Sequence, residues 1–574
     1  MIEIITDTGV SLDMSPEAEF EVEIENPIMT DDFIPAPFST PIDLLPTPKN
    51  CRVFSWLPDT VFTTLIKTVK SSIVFNVLVL FSGKLVYDAV EDGLLKFTFS
   101  GSASTESLEN MDISECVPGS HKIIDFAGLD NLVQGYDDVM QLPLIINEQN
   151  LANRVGKDDL LLYEKFHNYN PAYDSSFYTT PVLRVRHLIA GAFERLGMYL
   201  SEPTFLYNDY RYLSLICQYK PLVTDPETGR YDPDGDDSFS IVETLPKMSA
   251  LDLIVNVAKL FCCAVFRVGN AFCIRPISST VRQSTQISWD DKVADGFTLG
   301  MEPRQKYKFG YGNDSSECTI SYAQIQNSIG PGVDDVKEVF TYKDLFDKMS
   351  GNTSATVCLR LSSQDDIETH CFSGFWESDS KRGEFVFDQI YRPIAAVENP
   401  LEEEEDVDTI DKSVDFSLAK CIPLVDQLEY KTDPTHNHAW HAAVIPIPSV
   451  GSERGSEAFV GLVDRQGYGG SYTKYIITDN GHYFNNLHTE SQLADADLSP
   501  AAMFEKYHRP YAEWLGKDRV TVSADLCLTA ADIHNLDLSS KVHFRGKRWL
   551  IKKLSVTLSA GSDVLMCSGE FIEC

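Results

Sequence analysis

No stretch of this 574-residue chain is long and apolar enough to read as a membrane span. The most apolar run, Ile73–Phe81, is short and carries Asn76, so functions that need a spanning helix drop out. The N-terminus, MIEIITDTGVSLDMSPEAEFEVEIENP, lacks the basic-then-apolar order of a signal peptide, and cytosolic synthesis is the expectation. Basic residues are scarce: 48 Lys and Arg stand against 85 Asp and Glu, a net charge of −37. That balance disfavours sequence-general nucleic-acid binding, which needs clustered cations to neutralise phosphates. Cysteines at metal or redox spacing are also missing. The thirteen cysteines are odd in number and scattered, with Cys262-Cys263 adjacent and no CxxC pair, so neither a zinc ribbon nor a disulfide framework is indicated. They read as buried free thiols.

Catalytic templates fail by inspection. There is no G-x-S-x-G elbow, no phosphate-binding loop ahead of Gly83-Lys84, Gly516-Lys517 or Gly546-Lys547, and no HExxH. The glycine-rich stretch Gly451–Gly470 lacks the Lys-Ser/Thr that a phosphate cradle requires and reads as an interface or tube-lining loop. In Thr224–Ser238 the carboxylates Asp232, Asp234, Asp236 and Asp237 miss the EF-hand order, since Gly235 comes too early and no Glu closes the loop. The cluster His436, His438 and His441 is the strongest rival for chemistry; His482, His488 and His508 are further imidazoles that folding can draw in. In an extended strand His441 faces away from the other two, so the cluster is expected to hold no stoichiometric zinc, and His438→Ala to leave assembly intact. Paired carboxylates abound among 85 acids, and only geometry singles out a working pair. No catalytic, metal or cofactor-binding residue is assigned, and the chain is expected not to be an enzyme.

What is present is β-pattern. In Val520–Leu528 apolar Val520, Val522, Ala524, Leu526 and Leu528 alternate with Thr521, Ser523, Asp525 and Cys527, the period of a strand with one buried face. A loop with Asp532, Asp537 and Ser539 follows, then Val542–Phe544, the Arg545-Gly546-Lys547 turn, Trp549–Leu558 and Val564–Ile572. Near the start, Ile73–Phe81, a Ser82-Gly83 turn, Leu85–Val90, a Glu91-Asp92-Gly93 turn and Leu94–Phe99 read as a second meander. Helical periodicity appears in Pro181–Gly197 and from Leu251, with Ser249 as N-cap and Gly269-Asn270 turning a hairpin behind it.

The length suggests about four domains. Residues 1–137 comprise an N-terminal arm with a proline-rich run (Pro35, Pro37, Pro41, Pro46, Pro48), expected extended and docked, and a first barrel or sheet. A mixed α/β domain spans 138–290. Residues 291–435 are mainly β, with strands at Tyr307–Tyr311, Cys318–Ser321, Val357–Leu361 and Glu384–Phe387, and the acidic run Asn399–Asp411 as a solvated linker. Residues 436–574 hold a loop-rich segment, a short helix and a C-terminal barrel. The fold class expected is mainly β with an α/β insertion and two small tube-like β-barrels.

Three phrases carry a resemblance. KVHFRGKRWLIKKLSVTLSAG with CSGEF near the C-terminus is similar to the closing barrel of phage tail hub proteins. SALDLIVNVAKLFCCAVFRVGNAFCIRP, from Ser249, resembles the helix-then-hairpin unit of the same hubs and of tail-tip proteins. LLPTPKN, from Leu44, and LSPAAMFEKYHRPYAEWL, from Leu498, resemble phrases of tail proteins from phages and prophages of Bacteroides-type hosts. Together they touch roughly a third of the chain and include no catalytic motif.

The resemblance implies a baseplate or tail-tip hub, a homotrimer whose paired barrels mimic a six-fold tube ring. Its partners would be the tail tube, a tape-measure protein, and a spike, fibre or plug, within a virion tail assembled in the host cytoplasm. Many such proteins carry a hydrolase or fibre-like extension; this sequence stops at Cys574, so the enzymatic part is expected to be missing. The alternatives are a virion-associated glycan-binding or glycan-cleaving tail protein, using aromatics such as Trp376, Tyr468 and Tyr472, and a metallo-hydrolase resting on the histidines. A DNA conduit calls for an acidic wall that repels phosphate. The densest basic cluster, Lys541, Arg545, Lys547, Arg548, Lys552 and Lys553, is therefore expected to avoid a channel and meet a neighbouring subunit or an acidic partner.

Overall fold

A computed structural model describes residues 2–29, 36–55, 66–101, 103–125, 138–141, 145–147, 182–201, 210–211, 213–216, 238–268, 271–282, 286–311, 355–362, 367–377, 382–391, 397–398, 407–418, 422–425, 440–447, 458–466, 474–478, 498, 500–560 and 565–574. The first strands are β1 (Ile2–Thr6), β2 (Glu19–Glu25), β3 (Phe38–Ser39), β4 (Ile42–Leu44), β5 (Thr68–Phe75), β6 (Leu78–Glu91) and β7 (Leu94–Ser100). The expected Ser82-Gly83 turn is absent: β6 runs straight through it. Glycine there serves close approach, because a Cβ on Gly83 would lie 2.2 Å from the Ser100 carbonyl oxygen of the neighbouring strand. The chain reverses instead at Asn76-Val77, both left-handed, while the expected Asp92-Gly93 turn is in place with φ of 52° and 78°. Part of the proline-rich run is extended, as β3 and β4 against β7. Pro48, however, opens helix α1 (Pro48–Phe54), because Thr47 caps the amide of Asn50 and a proline in the first turn forfeits no helical hydrogen bond.

The helical elements form a second unit. The periodic segment at 181–197 divides: β8 (Val182–Arg184) is buried at every position, so its residues pair as a strand before helix α2 (Val185–Arg195) begins. Gly197, at φ 66°, ends the helix as expected. Helix α3 (Ala250–Leu260) carries a full Ser249/Asp252 capping box and buries Leu253, Ile254 and Val257. Behind it β9 (Cys263–Val268) and β10 (Ala271–Pro276) form the expected hairpin. Then come β11 (Gln286–Ser288), β12 (Val293–Glu302), β13 (Lys306–Phe309) and a three-stranded antiparallel sheet of β14 (Ala355–Ser362), β15 (Ile367–Glu377) and β16 (Arg382–Tyr391). The expected strand Cys318–Ser321 lies outside the described residues, as do the Asp232–Asp237 loop and the run 399–406.

Near the C-terminus a helix from Pro500 passes through one π-helical turn, Phe504–His508, into α4 (Arg509–Leu515). Strand β17 (Arg519–Leu526) follows, then helix α5 (Ala530–His534) where a loop was expected. Its Thr529/Asp532 capping box starts a helix that the polar composition concealed. Strands β18 (Lys541–Phe544), β19 (Lys547–Ser559) and β20 (Met566–Glu573) complete the chain, with the Arg545-Gly546 turn at φ 51° and 74°.

The N- and C-terminal strands are one object. A 13-stranded sheet runs β1-β5-β6-β7-β3-β2-β19-β20-β17-β12, with β4 on β7 and the pair β11-β18 attached to β19. Two separate barrels were expected; among the described residues no strand pair closes either half. The halves join where β2 meets β19 in an unbroken antiparallel ladder from Glu19↔Ser559 to Glu25↔Lys553. Ile4, Phe20, Phe97 and Phe99 share one hydrophobic cluster with Val522, Leu554, Val556 and Phe571. Each such side chain contributes roughly 1.5–3 kcal/mol on burial, so neither half is independent of the other.

A second cluster unites Leu188, Phe193, Leu253, Val257, Phe266, Tyr307, Phe309 and Tyr511, and it includes Leu550 and Ile572 of the sheet. Ile551 and Phe571 belong to the first cluster. Strands β19 and β20 are therefore the wall between two cores, with Leu550 and Ile572 facing one and Ile551 and Phe571 the other.

Candidate functional site

Two features stand out, an acidic face on the joined sheet and a buried polar rivet in the second hydrophobic cluster. The sequence of β2, EFEVEIE, places Phe20, Val22 and Ile24 toward the core and Glu19, Glu21, Glu23 and Glu25 on the other face. Across the ladder stand Ser559, Thr557, Ser555 and Lys553, and beyond Lys553 lies Glu570. Lys553 binds Glu23 at 2.8 Å, and that hydrogen bond raises the lysine pKa. One face of the seam between the halves is thus a row of carboxylates with a single bridging cation.

The basic cluster has no common focus. Lys541 is buried, and its Nζ donates to the Val281 carbonyl at 2.5 Å. Arg545 lies over the Phe297 ring, 4.2 Å from its centroid, and donates to the Asp295 carbonyl. The backbone N–H of Arg545 bonds the Asp290 carboxylate at 2.9 Å and holds its pKa below the usual carboxylate range. Lys547 pairs with Glu573 at 2.7 Å and Lys552 with Glu302 at 2.9 Å. Lys552 and Lys553 reach carboxylates on different strands, Glu302 of β12 and Glu23 of β2. Arg548 is exposed. Among the described residues, Glu573, Glu302, Glu23 and Asp290 of the chain itself meet this cluster.

The rivet is formed by His508, Tyr307 and Cys262. The π-turn sets His508 inward, fully buried and stacked on Phe309 at 3.9 Å. His508 Nε2 lies 3.1 Å from the Leu260 carbonyl, which can only accept, so Nε2 carries the proton and Nδ1 accepts from the Tyr307 hydroxyl at 2.5 Å. The Cys262 thiol is 3.8 Å from the same hydroxyl. Burial lowers the His508 pKa to about 3 and raises the Cys262 thiol to about 12. A neutral imidazole and an un-ionised thiol sealed in a core have neither charge nor access for nucleophilic chemistry. What they do is tie α3, β13 and the C-terminal helix together. Cys262 sits at φ 47°, the left-handed residue that ends α3.

Two further contacts bind the units. Asn26 Nδ2 donates to the Leu538 and Ile551 carbonyls at 2.8 Å each. Arg275 pairs with Asp537 at 2.8 Å, and Ser539 and Arg275 hold the Asp537 pKa down against its burial.

Of the expected histidine cluster, His441 falls in the strand Trp440–Ile447, while His436 and His438 lie outside the described residues together with His482 and His488. His508 is in the rivet. Trp376 falls within β15; Tyr468 and Tyr472 lie outside the described residues. Among the described residues no group of three or more His, Cys, Asp or Glu side chains is placed to hold a metal, and no helix is long and apolar enough to cross a membrane.

No family model matches the chain, and no curated protein matches it. Among solved structures it is similar to the 43 kDa tail protein of prophage MuSo2 from Shewanella oneidensis, with TM-score 0.33 and 7% identity over 100% of this chain and 98% of that one. It is also similar to a tail protein from Neisseria meningitidis MC58, with TM-score 0.33 and 7% identity over 100% and 96% of the two chains. The prophage tail protein gp18 from Listeria monocytogenes EGD-e gives TM-score 0.29 and 7% identity over 99% and 94%. Values this low do not establish a common fold, and the role of this chain is read from its own residues.

Proposed function

We propose that the chain is a structural protein of a phage or phage-derived tail, acting as the hub at the distal end. It would join the tail tube to the spike, fibres or plug and form part of the DNA channel. The reading starts from the resemblance of the C-terminal meander and the Ser249 helix-hairpin unit to hub proteins. The observation that carries it is the β2–β19 ladder. A ring that meets a six-fold tube with three subunits needs two tube-like units per chain in a fixed relation, and a ladder that joins two sheet halves over a shared core supports that reading. The glutamate row on β2 supports the channel role, since a carboxylate wall repels phosphate and leaves no adhesive sites along the DNA path.

The role proposed is mechanical, without catalysis, in a virion tail assembled in the host cytoplasm. The Bacteroides-type lineage rests on the phrases at 44–50 and 498–515 alone. Cryo-electron microscopy or native mass spectrometry of the assembled tail is expected to find three copies around the particle axis. Six copies, or an off-axis monomer, would refute the hub.

A further inference from the structure

The two ends of the large sheet are treated differently. The free side of β1 is covered by its own chain: Leu12 N–H bonds the Ile4 carbonyl at 2.8 Å, Thr6 N–H bonds Val10 at 2.9 Å, and Ile5 bridges Ser11. At the other end, among the described residues, β12 pairs with β17 alone and is exposed from Asp295 through Met301. No lysine or proline, two common guards of an edge, lies within its ten residues, and its one irregularity is the register shift between Val293 and Phe297, ahead of the exposed apolar positions.

Its side chains continue the core. Opposite residues of an antiparallel pair share a face, and Phe297, Leu299 and Met301 stand opposite Ala524, Val522 and Val520. Ala524 and Val522 are buried, yet Phe297, Leu299 and Met301 are 40%, 63% and 70% exposed. The apolar face of the sheet thus extends one strand further than the protein covers.

Charge indicates what covers it. The β12–β17 register shifts between Val293↔Leu526 and Phe297↔Ala524, and Asp295 and Asp525 both fall within that irregular stretch, one on each strand. Neither carboxylate has a cationic partner among the described residues, and like charges set across a strand pair repel. Asp290 and Asp291 precede the strand, and the nearby Arg545 is engaged by Asp290 and the Asp295 carbonyl. A second copy of this acidic chain would add to that repulsion.

We propose that β12 is an acceptor edge for an extended segment of another protein, one that alternates apolar and basic residues. Its apolar side chains cover Phe297, Leu299 and Met301, and its basic side chains settle on Asp295 and Asp525. The added strand supplies main-chain hydrogen bonds, and the two side-chain rows set register and direction.

The test uses the full-length chain and a labelled eight-residue peptide of alternating valine and lysine, followed by fluorescence anisotropy. Its controls are a block isomer with four valines then four lysines, and an alternating valine–glutamate peptide. The alternating valine–lysine peptide should bind at least tenfold tighter than either control. Leu299→Lys should weaken it tenfold or more, and Asp295→Asn with Asp525→Asn about threefold at low salt, a difference that disappears in 1 M salt. Equal binding of the block isomer, absence of binding, or unchanged affinity in both variants would overturn the proposal. So would self-association of the chain that Leu299→Lys abolishes, because the occupant would then be a second copy. Failure of the three-fold hub would show in particle symmetry and leave these affinities unaffected.

Discussion

The Tyr307 hydroxyl oxygen lies 2.5 Å from His508 Nδ1, between residues 201 positions apart. The bond requires a neutral imidazole, and burial lowers the His508 pKa to about 3 against an ordinary 6.5. A group with a depressed folded-state pKa takes up its proton more readily when unfolded. Its contribution is complete above pH 6.5 and is lost as pH falls from 6.5 toward 3, by up to about 1.4 kcal/mol per pH unit. Urea midpoints of the wild type should fall between pH 7 and pH 4.5, while those of His508→Gln fall less. Parallel curves would show that the histidine is not titrating against the fold.

How much of this arrangement is legible in sequence depends on range. The α3 capping box, the β9–β10 hairpin and the Asp92-Gly93 and Arg545-Gly546 turns are set within a few residues, and local pattern finds them. The Ser82-Gly83 turn is misplaced because glycine marks both reversals and close approaches, and only the neighbouring strand distinguishes them. The β2–β19 ladder and the His508 rivet are hidden because their partners are hundreds of residues away. The one available signal, an aromatic-flanked histidine in Tyr507-His508-Arg509-Pro510, indicates burial without naming a partner.

Asn26 joins the arm to the C-terminal half through the part-buried Leu538 carbonyl and the buried Ile551 carbonyl. Asn26→Leu fills similar volume but leaves the Leu538 and Ile551 carbonyls unsatisfied, and is expected to cost about 1–3 kcal/mol. Differential scanning calorimetry should show one transition moving down as a unit, since the halves share a core. Two resolved transitions would mean that they fold separately.

The reversal at Asn76-Val77, just ahead of β6, and the passage of β6 at Gly83 make opposite predictions. Val77 is β-branched, 93% exposed and held at φ 75°, so Val77→Gly should stabilise by about 1 kcal/mol. Gly83→Ala drives a Cβ into the Ser100 backbone, which cannot rotate away, and should cost about 1–3 kcal/mol. Thermal melts of the two variants should shift in opposite directions. A shift of the same sign in both would contradict this account of β6.

Glu302 ends β12 between two cations, Lys552 at 2.9 Å and Arg519 at 3.6 Å. Arg519 is buried over Trp514, and desolvation already lowers its pKa while Glu302 opposes that shift. Glu302→Gln leaves the guanidinium in the core without its nearest carboxylate, at an expected cost of about 2 kcal/mol, reduced from that of a fully buried pair because Glu302 keeps some solvent contact. The Lys547–Glu573 pair is more exposed, and Glu573→Gln should change stability by about 0.5 kcal/mol or less. Hydrogen exchange should locate the difference: in Glu302→Gln the amides of β12 lose protection before those of β17 and β20, because among the described residues the strand has a neighbour on one side only. Equal losses in the two variants, or uniform loss across the sheet, would mean that Glu302 does not anchor the edge strand.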